Sequence, residues 1–218
     1  MNISIGQVSS MVFSYLAHRT TIGLLGMVLP FVVALGAWFL FQTGIQDSIS
    51  DYYHTGMRDV FVGILFVIGF FLLSYKGFDR QDDMAGNLAC VFAIGVALFP
   101  TTPNSVKMAS GIQPGGIAHL IFAALFFLTL AYFSLFLFTK TDPSKKPTVR
   151  KLHRNRVYKT CGYTMLACIV LAAVFGLLPD DIQTPIAAYK PVFWLEAVAI
   201  LAFGVSWFTK GEAILKDE

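Results

Sequence analysis

The hydrophobic positions of this chain fall into six long runs that are separated by short polar passages. A helix needs roughly 20 mostly apolar residues to cross the hydrocarbon core of a bilayer, and each run approaches that length. The runs cover residues 21–41, 57–75, 84–99, 116–138, 157–178 and 191–208. The pattern predicts an all-α protein: a polytopic membrane helical bundle with six transmembrane helices, in which residues 1–218 form a single transmembrane domain.

Composition agrees with a membrane protein and argues against other classes. Hydrophobic residues make up 56% of the chain and charged residues only 13%, whereas globular domains carry roughly 25% charged residues. The net charge of +3 is too small to indicate a nucleic-acid-binding protein. Cys90, Cys161 and Cys168 all lie within apolar runs. We therefore interpret them as small hydrophobic residues rather than as disulfide partners or metal ligands.

The distribution of Lys and Arg predicts the orientation of the helices, because cytoplasmic loops are enriched in both residues. Residues 140–159 contain eight Lys and Arg residues against one acid, Asp142. Arg58, Lys107 and Lys190 are the only basic residues on the opposite side. The polar passage after the first span and the loops 101–115 and 179–190 are therefore expected to face outward, with both termini in the cytoplasm. Such short loops are typical of a bacterial inner-membrane protein.

The polar passage between the first two predicted spans holds several chemically active side chains. It contains Ser50, Asp51, His54, Arg58 and Asp59. If this segment is helical, the spacing of Asp51, His54 and Arg58 places them on one face. Charged groups at the edge of the hydrocarbon are costly, so they are usually paired, hydrated or functional.

Two further polar residues are expected at the same outer side of the bundle. His119 lies just inside the outer end of the fourth predicted span, and Glu196 lies about one turn inside the outer end of the sixth. An unpaired carboxylate among apolar neighbours takes up a proton rather than remain charged. We therefore predict a partner for Glu196, with Arg58 or His119 as the leading candidates.

These outer polar residues allow three interpretations. The first is a hydrogen-bonded cluster that joins spans two, four and six; its members are Arg58, Asp59, His119 and Glu196. The second is a zinc site, since carboxylate and imidazole groups bind zinc; its candidate ligands are Asp51, His54, His119 and Glu196. No HExxH or HxxxH spacing supports zinc, and the sequence indicates no other cofactor. The third is a proton or ion path, or a pocket in which Arg58 binds a lipid phosphate.

The order of these residues resembles the six-span DRAM/Sfk-type membrane family, which includes a Golgi protein involved in remodelling GPI-anchor lipids. The resemblance covers roughly residues 20–210. Its matching features are Ile49-Ser50-Asp51, Asp59, His119, and Glu196 followed by the aromatic-rich residues 205–209. Arg58-Asp59 stands where the family has Pro-Glu. The resemblance implies a protein that binds or acts on membrane lipids at a polar pocket in the outer half of the bundle.

A more remote resemblance is to the CREST superfamily of membrane hydrolases, which use a Ser, an Asp and three His around zinc. Ser50, Asp59, His54 and His119 are the available counterparts, but the paired late histidines of that superfamily are missing. This resemblance implies a zinc-dependent lipid hydrolase or amidase as an alternative function. In such an enzyme zinc activates a water molecule, and Glu196 or Asp59 moves protons.

A small transporter or ion-conducting protein is the third class considered. That class would need polar residues that continue through the inner half of the bundle. The sequence offers few there: Thr160, Tyr163 and Thr164 in the fifth predicted span and Ser74 in the second. The lipid-binding class therefore ranks above it.

Overall fold

The computed structural model describes residues 5–77, 79–141, 144 and 146–215, and describes only the backbone of residues 5–14, 104, 105 and 108. Within these ranges every element of regular secondary structure is a helix, and no residue forms a β-strand. Asp142 and Lys145 of the predicted cytoplasmic loop lie outside the described residues, as do both chain ends. The predicted all-α fold class is confirmed.

Long helices correspond to the six hydrophobic runs. They are α1 (Ile5–Phe41), α2 (Arg58–Ser74), α3 (Arg80–Leu98), α5 (Pro114–Tyr132), α6 (Val149–Gly176) and α8 (Pro191–Lys210), with the short helices α4 (Asn104–Ser110) and α7 (Asp180–Ala187) in the connections. A 3-10 helix covers Ser50–His54, and a π-helical turn at Phe133–Leu137 extends α5. The helices α1 and α6 begin at Ile5 and Val149, well before the predicted spans, because sequence of mixed polarity continues the helix beyond each apolar run.

Four helices in the described chain are long and apolar enough to cross a membrane. They are Tyr15–Phe41, Pro114–Leu137, Val149–Gly176 and Pro191–Lys210. The helix α2 has 17 residues, which corresponds to about 26 Å at 1.5 Å per residue. The helix α3 carries Arg80, Asp82 and Asp83 within its first turn. The protein therefore has the helices of a membrane protein. The helix α2 is shorter than the other four, and α3 begins with a charged turn.

Small residues allow two helix pairs to pack at close range. In α1 and α8, a Cβ added to Gly23 would lie 2.7 Å from the Gly204 carbonyl oxygen, and one added to Gly204 would lie 2.7 Å from the Gly23 oxygen. In α2 and α3, a Cβ on Gly86 would lie 2.5 Å from the Leu72 oxygen. Such approaches are below van der Waals distance, so these positions require glycine. Close packing through small residues is the usual means of helix association in membranes.

The connections gather at two ends of the bundle. At one end of the bundle Asp47 pairs with Lys190, and Asp51 forms a hydrogen bond with Thr101. We call this end the Glu196 end. It comprises residues 42–57, 99–113 and 177–190 and the adjoining helix termini. Lys140 pairs with Asp79 at the opposite end, which we call the Lys140 end. Its described residues are 15–20, 75–77, 79–82, 138–141, 144, 146–158 and 207–215. The predicted grouping of the first, third and fifth connections is therefore present.

Candidate functional site

Glu196 binds the backbone of the polar passage that follows α1. Its Oε2 atom accepts hydrogen bonds from the amide N–H groups of Ile49, at 2.7 Å, and Ser50, at 3.3 Å. Both residues are buried, and Ile49 is 1% exposed, so these amides depend on the protein for an acceptor. They lie at the start of the 3-10 helix, where free N–H groups favour a carboxylate. Glu196 therefore caps this helix and ties it to α8.

The sequence predicts Arg58 or His119 as the partner of Glu196, and the structure corrects this prediction. The Arg58 guanidinium lies over the Tyr53 ring at 4.6 Å and donates to the Tyr53 hydroxyl at 3.0 Å. The His119 Nδ1 atom bonds to the Phe99 carbonyl oxygen at 2.7 Å. The prediction considered only side chains as partners. In the structure the partners of Glu196 are the backbone amides of Ile49 and Ser50.

Further contacts fix the same passage to α8. The Asp47 carboxylate pairs with the Lys190 ammonium, and the Asp47 carbonyl oxygen accepts from the Phe193 N–H at 2.9 Å. Ser48 Oγ accepts from the Asp51 N–H at 3.0 Å and so caps the 3-10 helix locally. The passage is therefore fixed to α8 at Asp47, Ile49 and Ser50, directly before Asp51 and His54.

Asp51 and His54 meet at Thr101, which the sequence analysis did not select. Thr101 Oγ1 donates to Asp51 Oδ1 at 2.7 Å. His54 Nε2 lies 2.8 Å from the Thr101 carbonyl oxygen and 3.1 Å from Thr101 Oγ1. A carbonyl oxygen can only accept, so Nε2 carries the proton and Nδ1 of a neutral His54 is an acceptor. A Thr directly after Pro100 was the available signal, but its partners lie 50 residues away.

The predicted residues form three groups rather than one pocket. Ser50 and Glu196 lie at the 3-10 helix cap. Asp51 and His54 share Thr101, with His119 near enough to interact electrostatically with both. Arg58 and Asp59 are exposed, and in the described chain the Asp59 side chain makes no hydrogen bond or ion pair. The predicted cluster of Arg58, Asp59, His119 and Glu196 is therefore not formed: Glu196, His119, and Arg58 with Asp59 belong to three different groups.

A small cavity lies in the bundle beneath the Glu196 carboxylate. Its volume is about 40 Å³, and Ser50 and Glu196 are the polar residues of a lining that is otherwise apolar, including Leu65, Phe126 and Phe203. At about 10–15 Å³ for each probe-sized site, this space accommodates a few water molecules. A lipid chain does not fit in this cavity.

The residues present do not fit a zinc site. Among the described residues, no group of three or more His, Cys, Asp or Glu side chains could hold a metal ion. The candidate ligands are dispersed: Glu196 binds the amides at the start of the 3-10 helix, Asp51 and His54 contact Thr101, and His119 contacts Phe99.

The Lys140 end contains a second buried polar group, at a position that the sequence indicates only as a helix boundary. Asp82 is 0% exposed, and its Oδ2 atom lies 2.9 Å from the Lys140 ammonium. Lys140 also lies 2.9 Å from Asp79, the N-cap residue of α3, and this hydrogen bond lowers the pKa of Asp79. Two adjacent acids at a helix start were the available signal, since an acid one turn inside a cap can be turned inward.

Comparisons with known proteins identify no relative: no protein-family model, no curated protein and no solved structure matches the chain. The class that the fold and the apolar helices define is an all-α protein with four helices able to cross a membrane. The resemblances to the DRAM/Sfk-type and CREST groups stay sequence-based predictions.

Proposed function

We propose that this chain is a six-span integral membrane protein that binds lipid headgroups at the Glu196 end, which faces outward. The residues Lys76, Arg80, Lys140 and Lys151 lie toward the opposite end, and the preference of Lys and Arg for the cytoplasmic side supports this orientation. Both termini are then cytoplasmic. In a bacterium the corresponding location is the inner membrane.

Labelling of single cysteines in intact cells tests the orientation. The native cysteines Cys90, Cys161 and Cys168 are buried, so an introduced cysteine supplies the signal. Lys107→Cys in α4 is expected to react with a membrane-impermeant maleimide, and Lys146→Cys in the connection before α6 is expected to react only after the cells are opened. The reverse pattern would contradict the orientation.

The observation that carries the lipid proposal is a group formed by the half-buried Tyr53 and the exposed His54 and Arg58, on a passage that Glu196 and Lys190 fix to α8. The Tyr53 and His54 rings lie 5.4 Å apart, and Arg58 covers the Tyr53 ring. The described hydrogen bond of Arg58 uses one of five guanidinium N–H groups. The remaining donors suit a phosphate group, which guanidinium binds in a bidentate manner. The DRAM/Sfk-type resemblance supports the same class of ligand.

Native mass spectrometry of the protein after incubation with phosphatidylglycerol tests this site. Arg58→Gln is expected to reduce retained lipid about tenfold, because a hydrogen bond to a charged group is worth about 1.5–3 kcal/mol. Arg80→Gln is the matched control, since Arg80 is also exposed but lies at the Lys140 end. Equal lipid retention by Arg58→Gln and the unmodified protein would refute the proposed site.

One observation favours a second candidate function, an ion-conducting protein. Buried polar residues continue into the half of the bundle near the Lys140 end, where Ser134 and Ser206 share a hydrogen bond of 2.7 Å and Asp82 is fully buried. Proton flux into liposomes that contain the protein tests this candidate. Flux that Asp82→Asn abolishes would support it, and no flux above that of empty liposomes would reject it. The zinc hydrolase alternative has no comparable support.

A further inference from the structure

One face of the first turns of α6 is exposed and carries positive charge. The residues His153, Arg156, Lys159 and Tyr163 are exposed, whereas Tyr158 on the opposite side of the helix is buried. The four exposed residues follow one another at intervals of three or four positions, so they lie on the same side of the helix. We call these four residues the α6 cationic face. This face is directed away from the bundle.

The α6 cationic face has no acid beside it in the described chain. Residues 143–179 contain seven Lys and Arg residues and no Asp or Glu. Among the residues that the structure describes, Arg156 and Lys159 form no ion pair and no hydrogen bond through their side chains. Each described acid at or next to the Lys140 end contacts a different cation: Asp79 and Asp82 contact Lys140, Asp83 contacts Lys76, and Glu212 lies 3.8 Å from Arg154.

The length of α6 places this face at the depth of the lipid headgroups. The helix has 28 residues, which corresponds to about 42 Å at 1.5 Å per residue, whereas the hydrocarbon core is about 30 Å thick. The surplus of about eight residues lies at the start of α6, because the apolar run begins at Val157. Arg156 and Lys159 are therefore at the boundary of the hydrocarbon. Tyr163, which is 64% exposed, lies one turn deeper.

A negatively charged lipid surface matches this combination of charge and depth. We propose that the α6 cationic face binds anionic phospholipids, with Arg156 and Lys159 at the lipid phosphates and Tyr163 beside the first methylene groups of the acyl chains. Guanidinium and ammonium groups both bind phosphate, the lysine side chain extends toward the headgroups, and Tyr is typical of the membrane interface. A water-soluble anionic partner would not reach Tyr163.

The proposed contact is separate from the proposed function at the Glu196 end. Only its assignment to the cytoplasmic leaflet rests on the proposed orientation of the chain. Clusters of Lys and Arg directly beside a membrane-spanning helix are attracted to anionic lipids, and the attraction falls off within a Debye length. The contact is therefore expected to depend on salt.

Fluorescence quenching by brominated lipids tests the proposal at a single position. Thr160→Cys, at an exposed position beside Lys159, is labelled with the fluorophore bimane, while the native cysteines are buried. The full chain is reconstituted into phosphatidylcholine vesicles that contain brominated phosphatidylglycerol or brominated phosphatidylcholine. We expect stronger quenching by phosphatidylglycerol. Arg156→Gln and Lys159→Gln are each expected to lower its binding constant, relative to phosphatidylcholine, about fivefold.

Two exposed cations at the Glu196 end provide matched controls. Lys107→Gln removes a lysine of α4, and Arg58→Gln removes the cation of the other proposed lipid site. Both are expected to leave quenching at position 160 unchanged, so failure of the Arg58 site would not affect this result. Equal quenching by the two lipids would overturn the proposal. A preference for phosphatidylglycerol that the double variant Arg156→Gln/Lys159→Gln retains would also overturn it.

Salt and other anions complete the test. The preference for phosphatidylglycerol should decrease as the salt concentration rises, because exposed charges are screened, and a preference independent of salt would contradict the proposal. Asp142, Asp217 and Glu218 lie outside the described residues. If the preference appears only after these three acids are neutralised, the protein's own carboxylates occupy the face and the proposal is wrong. Binding of a poly-glutamate peptide in detergent, without any lipid preference in vesicles, would indicate a protein-docking surface and would also refute it.

Discussion

Each end of the bundle directs one acid toward the interior: Asp82 is fully buried, and the half-buried Glu196 lines the small cavity. The two acids are stabilised differently. Glu196 receives hydrogen bonds from two backbone amides of a 3-10 helix, whereas Asp82 is paired with the Lys140 ammonium. The first arrangement fixes a loop, and the second joins the start of α3 to the segment after α5. The comparison shows that apolar neighbours identified Glu196 as an inward-facing acid without its partners, whereas the charged first turn of α3 gave no sign that Asp82 is buried.

The largest expected effect on stability is at the Glu196 cap. Glu196→Leu leaves the Ile49 and Ser50 amides without their acceptor, and we expect a loss of about 3 kcal/mol in the free energy of unfolding. Glu196→Gln keeps one acceptor oxygen and is expected to lose less. Thermal unfolding in detergent measures both effects.

The control for the cap is Asp181→Asn, which neutralises an exposed acid of α7 at the same end. We expect its stability to match that of the unmodified protein within about 0.5 kcal/mol. A Glu196→Leu protein as stable as this control would show that the cap contributes nothing.

The ion pair at the Lys140 end is expected to have the next largest effect. Lys140→Met leaves the buried Asp82 carboxylate without its cation, and removal of one partner of a fully buried pair costs about 3–5 kcal/mol. The Lys140 side chain is 26% exposed, so solvent reduces the expected loss to about 2 kcal/mol. Lys159→Met is the matched control, and an equal stability of the two variants would be inconsistent with the pair.

The pH dependence of that loss sharpens the comparison. The hydrogen bond from Lys140 lowers the pKa of Asp79 from its ordinary 3.8. A group with a lowered folded-state pKa contributes stability above its unfolded pKa, and the contribution disappears as the pH falls through the folded value. The stability difference between the unmodified protein and Lys140→Met should therefore shrink as the pH falls from about 5 to below 3. A difference that grows in acid would contradict the assigned contact.

The smallest expected effect concerns the buried hydroxyl pair of Ser134 and Ser206. The π-helical turn of residues 133–137 places Ser134 beside α8, where the two hydroxyl oxygens lie 2.7 Å apart. Hydrogen bonds between membrane helices average about 0.6 kcal/mol in double-mutant cycles. A cycle with Ser134→Ala and Ser206→Ala should give a coupling energy of about that size, measured by unfolding in detergent. Strictly additive losses would argue against the bond.

The sequence was sufficient to predict the long helices but not the hydrogen-bond partners of the polar residues. Six hydrophobic runs correspond to long helices because the 20-residue apolar stretch is a strong signal. The start of α3 at Arg80 was missed, since a charged first turn is not part of an apolar run. Thr101 and the Ile49 and Ser50 amides were missed because their contacts depend on how distant connections meet. A turn such as the π helix after Tyr132 also has no simple periodic signal.

Arg58 and His119 are residues for which the sequence predicted a contact that the structure does not show. A guanidinium or an imidazole is a suitable partner for the Glu196 carboxylate. Complementary charge makes such a pair favourable, but it does not show that the fold brings the two groups together. In the structure each uses a nearer group, the Tyr53 hydroxyl and the Phe99 carbonyl. The Arg58 contact with Tyr53 spans five residues and costs little chain entropy, whereas the His119 contact joins α5 to the end of α3.

The central claim is that Glu196 holds the polar passage after α1 in the conformation that presents Tyr53, His54 and Arg58. Amide hydrogen exchange of residues 48–54, compared between the unmodified protein and Glu196→Leu in the same detergent, tests it most directly. We expect the Ile49 and Ser50 amides to be protected in the unmodified protein and to exchange much faster in the variant, while the α6 amides stay protected in both. Equal protection of Ile49 and Ser50 in the two proteins would contradict the account.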